Sequence, residues 1–436
     1  MKYVIIGGSA AAIRAIEAIR SVDQRSPIEL FSDEDTPLFS RVLLPYYVAE
    51  ELPKKLLNFR PLTFFQDHDV SSHLGVRVTE IDPDSRTITT DEGKSYDYDR
   101  LLLATGGKPI IPPIPGVDKK GIFPLKTMND AEKIYSAEGK KAVVIGAGSI
   151  GVESCISLKR KGMEVTLVEQ LGRVLPTVFD DQAAGIIRKR IEDLGINVRT
   201  GEKAVRFHGN GAVTSMSTEQ RDIDCDLVIL SIGVTPNVEL ARSGGLDIGD
   251  LGGIKVNERM RTSAAGIFAA GDVTETDDLA LDKKSINAIW PCAVEQGYIA
   301  GLNMAGRKVR YPGSLRMNSI GNFIGQPAIS IGMVNAPVET GGAEAGETYQ
   351  EVFRSSKDTY RKLILKGERI VGAILVGDTQ KAGIIQVLIK KQVEAGEFVP
   401  LLLSHRLNFM ELLPLIRRHG DKFKETEFKE LMDTGL

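Results

Sequence analysis

The chain is poor in cysteine. Cys155, Cys225 and Cys292 are its three, spread over 436 residues. They form no CxxC pair, no metal-ligand spacing and no disulfide framework, so no metal site is expected. That usage suits a reducing compartment, and a cytoplasmic protein is expected. A strong charge of either sign is missing too. The formal net charge is −3, so no basic field calls for nucleic acid. No apolar run is long enough to span a bilayer. The opening MKYVIIGGSAAA is not read as a signal peptide, because Gly7 and Gly8 interrupt its apolar run and Arg14 follows. What remains is the composition of a soluble globular protein, long enough for two or three domains.

Against these absences stands one strongly patterned stretch, KKAVVIGAGSIGVESCISLKRKGMEVTLVEQ, residues 140 to 170. An apolar strand, Ala142 to Ile145, enters Gly146-Ala147-Gly148-Ser149-Ile150-Gly151. A helical run follows, then a second strand, Val165 to Val168, ending in Glu169. Strand, glycine-rich turn, helix, strand and distal acid together form a dinucleotide-binding fingerprint. Gly146 permits the tight turn, Gly148 lets a pyrophosphate approach the backbone, and Gly151 lets helix and strand lie close. The helix N-terminus offers amides and a positive dipole end to phosphate. Glu169 is placed to accept the hydroxyls of an unphosphorylated ribose.

A weaker copy opens the chain. The strand KYVII, residues 2 to 6, runs into Gly7-Gly8-Ser9-Ala10-Ala11-Ala12 and a helix from Ala10 to Ser21. A strand Ile28 to Phe31 follows, ending in Ser32-Asp33-Glu34. Ser9 and Ala12 take the second and third glycine positions, so close approach is less free than in the later copy. Ser32 sits where the ribose acid is usual, with Asp33 or Glu34 as substitutes. Strand-like segments follow near Val76 to Ile81 and Thr87 to Thr90. Four prolines in PIIPPIPG, residues 109 to 116, bar a helix or central strand and mark a crossing between domains. Later strands are expected at Leu227 to Ile232, before Gly233, and at Ile267 to Ala270, before Gly271-Asp272. A helix is expected from about Ala293 to Ala305. From Tyr311 the pattern becomes strand and turn, and from Thr379 helical.

Two dinucleotide units, ATGGKP at 104 to 109 and AAGDV at 269 to 273 occur in a family's order. The chain resembles the FAD- and NAD(P)-dependent pyridine nucleotide-disulfide oxidoreductases over residues 1 to about 400. Within them it is most similar to rubredoxin and ferredoxin reductases, the flavin domain of NADH-dependent nitrite reductase and the phenylglyoxylate dehydrogenase flavoprotein subunit. The resemblance implies an α/β fold with two Rossmann-like, glutathione-reductase-like domains and a C-terminal α+β interface domain. It implies FAD binding by residues 1–110 and 250–310, NAD binding by 111–249, and an interface domain with a helical tail over 311–436. Gly7, Gly8, Ser9 and Ala11 would line the FAD pyrophosphate, Glu34 would face the adenosine ribose, and Val78 would lie near adenine. Arg41 and Pro45 would touch the flavin side, and Thr105 and Gly106 would close over the diphosphate. Asp272 would accept from the ribityl or ribose side. Ala293, opening a helix, would offer its N–H to the flavin pyrimidine oxygen. Gly146, Gly148, Ser149, Ile150 and Gly151 would hold NAD, with Glu153 near the nicotinamide amide and Gly233 beside the coenzyme. Homodimerisation through residues 311 to 400 is implied as well.

Departures from the family pattern narrow the chemistry. FSRVLLPYY, residues 39 to 47, puts Val42 where relatives with a loop like FANCGLPYY carry one cysteine. Valine forms no thiolate, sulfenate or mixed disulfide. Tyr46 aligns with a lysine of some ferredoxin reductases. Cys292 is near the flavin helix but single, and reads as a small buried hydrophobe. The expected reaction is a relay in which NADH reduces FAD and an external one-electron carrier or iron–sulfur subunit takes the electrons. Two other classes stay open. One is an NADH oxidase or quinone reductase using dioxygen or a small acceptor; the other is a slow redox-sensing or docking subunit. The tail 404 to 436 carries Leu407, Met410, Leu413 and Ile416 at helical steps, beside Leu412. That stripe reads either as a closing helix on its own domain or as a docking face, broken near Pro414.

Overall fold

The computed structural model describes residues 1–36, 38–320, 324–337, 348–404 and 409–424. The chain divides into two compact units. One comprises 1–174, 191–277 and 284–314, the other 175–190, 278–283 and 315–436.

The first unit is built on two parallel five-stranded sheets of the same central plan. In one, the strands run in the order Ile267–Ala269, Arg100–Leu103, Tyr3–Ile6, Ile28–Ser32 and Val70–Leu74. In the other the order is Asn197–Thr200, Glu164–Glu169, Lys141–Ile145, Leu227–Leu230 and Ile122–Pro124. Both are parallel throughout. Parallel sheets are covered on both faces, which is why their strands read as unbroken apolar runs. In the first sheet Tyr3 and Ile5 pack with Ile13, Ile16 and Leu102, while Val4 and Ile6 pack with Phe31, Leu101 and Leu103. Each sheet is accompanied by a three-stranded antiparallel sheet. These are Val78–Asp82, Thr87–Thr90 and Ser95–Asp97, and Ala204–His208, Ser215–Thr218 and Asp222–Asp224. The internal repeat read from the glycine-rich turns thus extends to these additions.

In each sheet the chain leaves the first strand toward one neighbour and later returns on its other side. Such a reversal opens a crevice at the carboxyl ends of the strands, where ligands bind in open α/β sheets. The turns at Gly7 and Gly146, the acids Asp33 and Glu34 after strand Ile28–Ser32, Glu169 closing strand Glu164–Glu169, and Ala104 and Ala270 all lie at those ends. The helix Trp290–Met304 is fixed against helix Ala10–Arg20 by small residues. A Cβ on Gly297 would lie 2.1 Å from the Ala11 carbonyl oxygen.

Three sequence boundaries shift. The helix expected from Ala293 begins at Trp290, with Pro291 in its first turn. Proline's fixed φ and missing N–H suit that position, so Trp290-Pro291 is a helix start. The strand expected to reach Ile232 ends at Leu230, and the one expected to reach Ala270 ends at Ala269.

The second unit has an antiparallel sheet ordered Met317–Ile320, Ala328–Gly332, Arg369–Val376, Tyr360–Lys366 and Tyr349–Ser355. Helices Ala382–Lys390, Val399–Leu403 and Leu413–Arg418 belong to it. Its core joins Leu363, Leu375, Ile385 and Leu402 to Leu412, Leu415, Ile416 and Phe423. Of the tail's expected apolar stripe, Ile416 and the adjacent Leu412 lie in this core and Leu413 is buried, while Met410 is exposed. The stripe breaks as Pro414 demands, into a turn Phe409–Leu412 and the short helix Leu413–Arg418. Leu407 and residues 425–436 lie outside the described residues. Among the described residues no helix is long and apolar enough to cross a membrane.

Candidate functional site

The later turn behaves as its glycines require. A Cβ on Gly151 would lie 1.9 Å from the Gly146 carbonyl oxygen, so only glycine lets the helix start so close to the strand. A Cβ on Gly148 would meet nothing within 4 Å, which is the open cradle a pyrophosphate needs. Gly148 caps helix Ser149–Arg160 without a side chain, and the first intrahelical bond is Val152 N–H to Gly148 O at 3.0 Å. The amides of Ser149, Ile150 and Gly151 therefore precede the helical ladder. The Ile150 side chain is exposed. The earlier turn has the same form. Ser9 caps helix Ala10–Arg20 without a side-chain bond to it, and the first bond is Ile13 N–H to Ser9 O. Gly8 faces the Ser32 hydroxyl. Both turns fit a dinucleotide phosphate.

The acids are placed by backbone amides and by two basic residues. Glu169 is buried, and each carboxylate oxygen accepts one amide at 2.8 Å, from Ala147 and from Leu171. It thereby ties the glycine-rich turn to the end of its own strand, with a second lone pair left on each oxygen. Glu169→Ala should narrow any preference for NADH over NADPH, read as the ratio of kcat/KM values. It should also cost about 1–3 kcal/mol of stability, because the buried Ala147 amide loses its acceptor. An unchanged ratio would refute Glu169 as the ribose acid.

Glu34 pairs with Arg41 at 2.5 Å, and Arg41 also donates to the Lys126 carbonyl at 2.8 Å. The Lys126 ammonium in turn lies 3.2 Å from Asp272. The acids expected at the two ends of a bound FAD are thus joined through Arg41 and Lys126. Gln296 accepts from the Gly271 amide at 2.7 Å and from the Thr274 hydroxyl at 2.8 Å, which fixes the turn carrying Asp272. Thr105 and Asn237 exchange two bonds, each 2.9 Å, and the Asn237 amide donates to Gly106. The strands Gly107–Pro109 and Val234–Pro236 pair beside this clasp, so Gly106 and Gly233 flank one crossing. Val78 is buried with Ile6 and Phe31, so its side chain belongs to the core.

One expected helix opening is corrected. The Ala293 amide donates to the Ile289 carbonyl at 3.1 Å, as the first bond of its helix. The amides ahead of that bond are those of Trp290 and Cys292, since Pro291 has none. The helix end is therefore formed by Trp290 to Cys292, and Ala293 does not open it.

Lys126, Asn237 and Gln296 were not singled out by the sequence. Lys126 directly precedes the capping box of helix Met128–Tyr135, whose Thr127 and Asp130 bond reciprocally. Gln296 is a buried amide on an otherwise apolar helix face, a pattern that asks for a partner.

Two dinucleotide crevices within one unit define a class, the oxidoreductases that carry two nucleotide cofactors. The chain belongs to the pyridine nucleotide-disulphide oxidoreductase family, whose model matches residues 1–297. It is an NAD(P)H-dependent oxidoreductase of a flavoprotein family that typically uses FAD. The rubredoxin NAD+ reductase C-terminal domain model matches residues 320–393. An NADH oxidase of Methanocaldococcus jannaschii is 30% identical, with 91% of this chain and 93% of that protein covered. The epsilon subunit of NADH-dependent phenylglyoxylate dehydrogenase from Aromatoleum evansii is 32% identical, with 90% and 92% covered. The solved NAD-dependent persulfide reductase of A. fulgidus superposes with a TM-score of 0.84 at 29% identity, covering 96% of this chain and 84% of that one.

Proposed function

We propose that this protein oxidises NADH through bound FAD and passes the electrons to an external one-electron carrier, a rubredoxin, a ferredoxin or an iron–sulfur subunit of a larger complex. The observation that carries this reading is the absence of a thiol that could store electrons. Val42 stands on the turn Arg41–Leu43 in the place of the family's single cysteine. All three cysteines are buried. Burial raises the Cys155 thiol well above its ordinary range and pushes Cys225 up to about 12. The match to a rubredoxin reductase C-terminal domain supports an external carrier, as does the likeness to a dehydrogenase subunit.

In this reading residues 1–110 and 250–310 hold FAD, 111–249 hold NAD(H), and 311–436 form an interface domain of a homodimer. Bound FAD supplies hydride acceptance and single-electron release, which is the cofactor's own chemistry. The protein's part is to bind and orient. Amides of Gly8, Ser9 and Ala11 meet one pyrophosphate, and those of Ser149, Ile150 and Gly151 the other. Glu34, Arg41 and Lys126 set the charge along the first crevice, and Gln296 holds Asp272 toward it. The helix end at Trp290 and Cys292 favours negative charge beside it.

The test is flavin-loaded protein with NADH and a purified rubredoxin or ferredoxin. NADH oxidation should depend on the carrier. It should survive replacement of Cys155, Cys225 and Cys292 by alanine. Oxygen uptake that matches NADH loss without a carrier would instead establish the oxidase reading, which the Methanocaldococcus relative favours. Failure with both acceptors would leave a sensing subunit. Light scattering at the monomer mass would exclude the homodimer.

A further inference from the structure

The three-stranded sheet Ala204–His208, Ser215–Thr218 and Asp222–Asp224 covers one face of the second parallel sheet, where Phe207 and Met216 pack with Val143, Val168 and Val228. The cover is incomplete. Toward the amino ends of the parallel strands, away from the Gly146 turn, a polar cavity of about 250 Å³ remains beside Asp222–Asp224. Its floor follows from the register. Lys141 lies beside Glu164 and Thr166 beside Asn197 on adjacent parallel strands, and Arg199 follows Asn197 by two. Side chains alternate along a strand, so these five share one face. All five line the cavity. Most of the charge here is committed. Lys141 pairs with Asp224 at 3.0 Å, Arg221 pairs with Glu202 at 3.3 Å, and Asp222 accepts from the Ser217 hydroxyl. Arg199 and Glu164 are the exceptions. Among the described residues neither side chain has an ion pair or a hydrogen bond. Thr166 is only 8% exposed, and its hydroxyl has no partner among the described residues either. A hydroxyl so buried asks for a partner.

We propose that this cavity binds a small amino acid, a linear zwitterion with its carboxylate at Arg199 and its ammonium at Glu164. The site is separate from the coenzyme crevice and does not rest on the coenzyme assignment. A free guanidinium presents its donors as a fork that matches a carboxylate. The Thr166 hydroxyl adds a donor on the same floor. At the other end Glu164 can only accept, and Asp222 has no cation of its own among the described residues. An ammonium answers both. A dianion would set charge against Glu164 and Asp222, and a diamine would set charge against Arg199. Arg199 adjoins Val168, which is four residues beyond Glu164 on its strand, or about 13 Å of backbone. The two long side chains close part of that span. The ligand's charges must therefore stand apart on a methylene chain, rather than on one carbon. The cavity is also smaller than the clefts of about 300–1,000 Å³ that hold drug-sized ligands, so a nucleotide does not fit.

The experiment is equilibrium dialysis of the flavin-loaded protein with radiolabelled δ-aminovalerate. Valerate and pentylamine, which each keep one of its two charges, serve as competitors. δ-Aminovalerate should saturate one site per chain. Each single-charge competitor should bind at least about tenfold more weakly. Saturating NAD+ should leave the Kd unchanged, because the coenzyme turn lies at the other end of the strands. Arg199→Gln should weaken binding by at least about tenfold while flavin content stays the same. No binding to wild-type protein at millimolar δ-aminovalerate overturns the proposal, with no variant required. Valerate competing as well as δ-aminovalerate would show an anion site only, and overturns the zwitterion. Binding that NAD+ displaces, or that persists in Arg199→Gln, places the ligand elsewhere and overturns the site.

Discussion

Gly151→Ala is expected to abolish reduction of the flavin by NADH while leaving the flavin bound. The added Cβ would sit 1.9 Å from the Gly146 carbonyl oxygen and 2.6 Å from the Ser231 hydroxyl. The Ser231 hydroxyl donates to the Ile145 and Gly146 carbonyls at 3.0 and 2.9 Å, so it is not free to swing away. The helix must therefore back off its strand, and it takes the amides of Ser149 and Ile150 with it. A displacement of about 1 Å at a positioning element costs about a hundredfold in rate. The flavin crevice is built on the other parallel sheet, with its own turn at Gly7, and is not touched. The measurement is rapid-mixing decay of flavin absorbance with NADH, set beside flavin content after denaturation. Gly148→Ala gives the contrasting result. Its Cβ meets no protein atom within 4 Å, so thermal stability should hold while NADH binding weakens. Normal flavin reduction in Gly151→Ala would refute the geometry of the turn. Loss of flavin together with reduction would show that the two crevices are not independent.

Much of this arrangement was legible in the sequence because its signals are local. Val143, Val144 and Ile145 beside Gly146 announce a buried strand ending in a tight turn, and the structure places them there. The early unit was legible despite Ser9 and Ala12, since small side chains still allow the approach. What stayed hidden depends on residues brought together from far along the chain. Lys126 and Asp272 are 146 positions apart, and no periodicity connects them. Thr105 and Asn237 are 132 apart. The helix start was expected at Ala293, three residues late, because proline in a first turn reads as a stop as readily as a start. The segment 175–190 groups with the C-terminal sheet, where Asp180 accepts from the Tyr360 hydroxyl at 2.7 Å and pairs with Lys362 at 3.2 Å. Its sequence shows only an amphipathic helix start after a loop, which any neighbouring sheet could cover.

Glu153, half-buried on helix Ser149–Arg160, should leave its mark on folding. Glu153 has its pKa raised to about 7 by desolvation, against an ordinary value of 4.5. The folded protein therefore holds a proton there that the unfolded chain has already released. The sign follows from linkage: stability falls with rising pH wherever the folded state binds more protons. This contribution is fully present below pH 4.5, is lost as pH rises to about 7, and stays lost above. Replacing the acid by its neutral amide removes the loss. Glu153→Gln should accordingly be more stable than wild type at alkaline pH, by about 2–3 kcal/mol at full loss. In the acid range the two should converge. Thermal unfolding of flavin-loaded, coenzyme-free protein at both ends of that window gives the comparison. A stability gap that does not change with pH would show that Glu153 is ionised throughout, with its charge satisfied by the protein. A gap that opens toward acid would reverse the sign, and would mean that the folded state prefers the carboxylate.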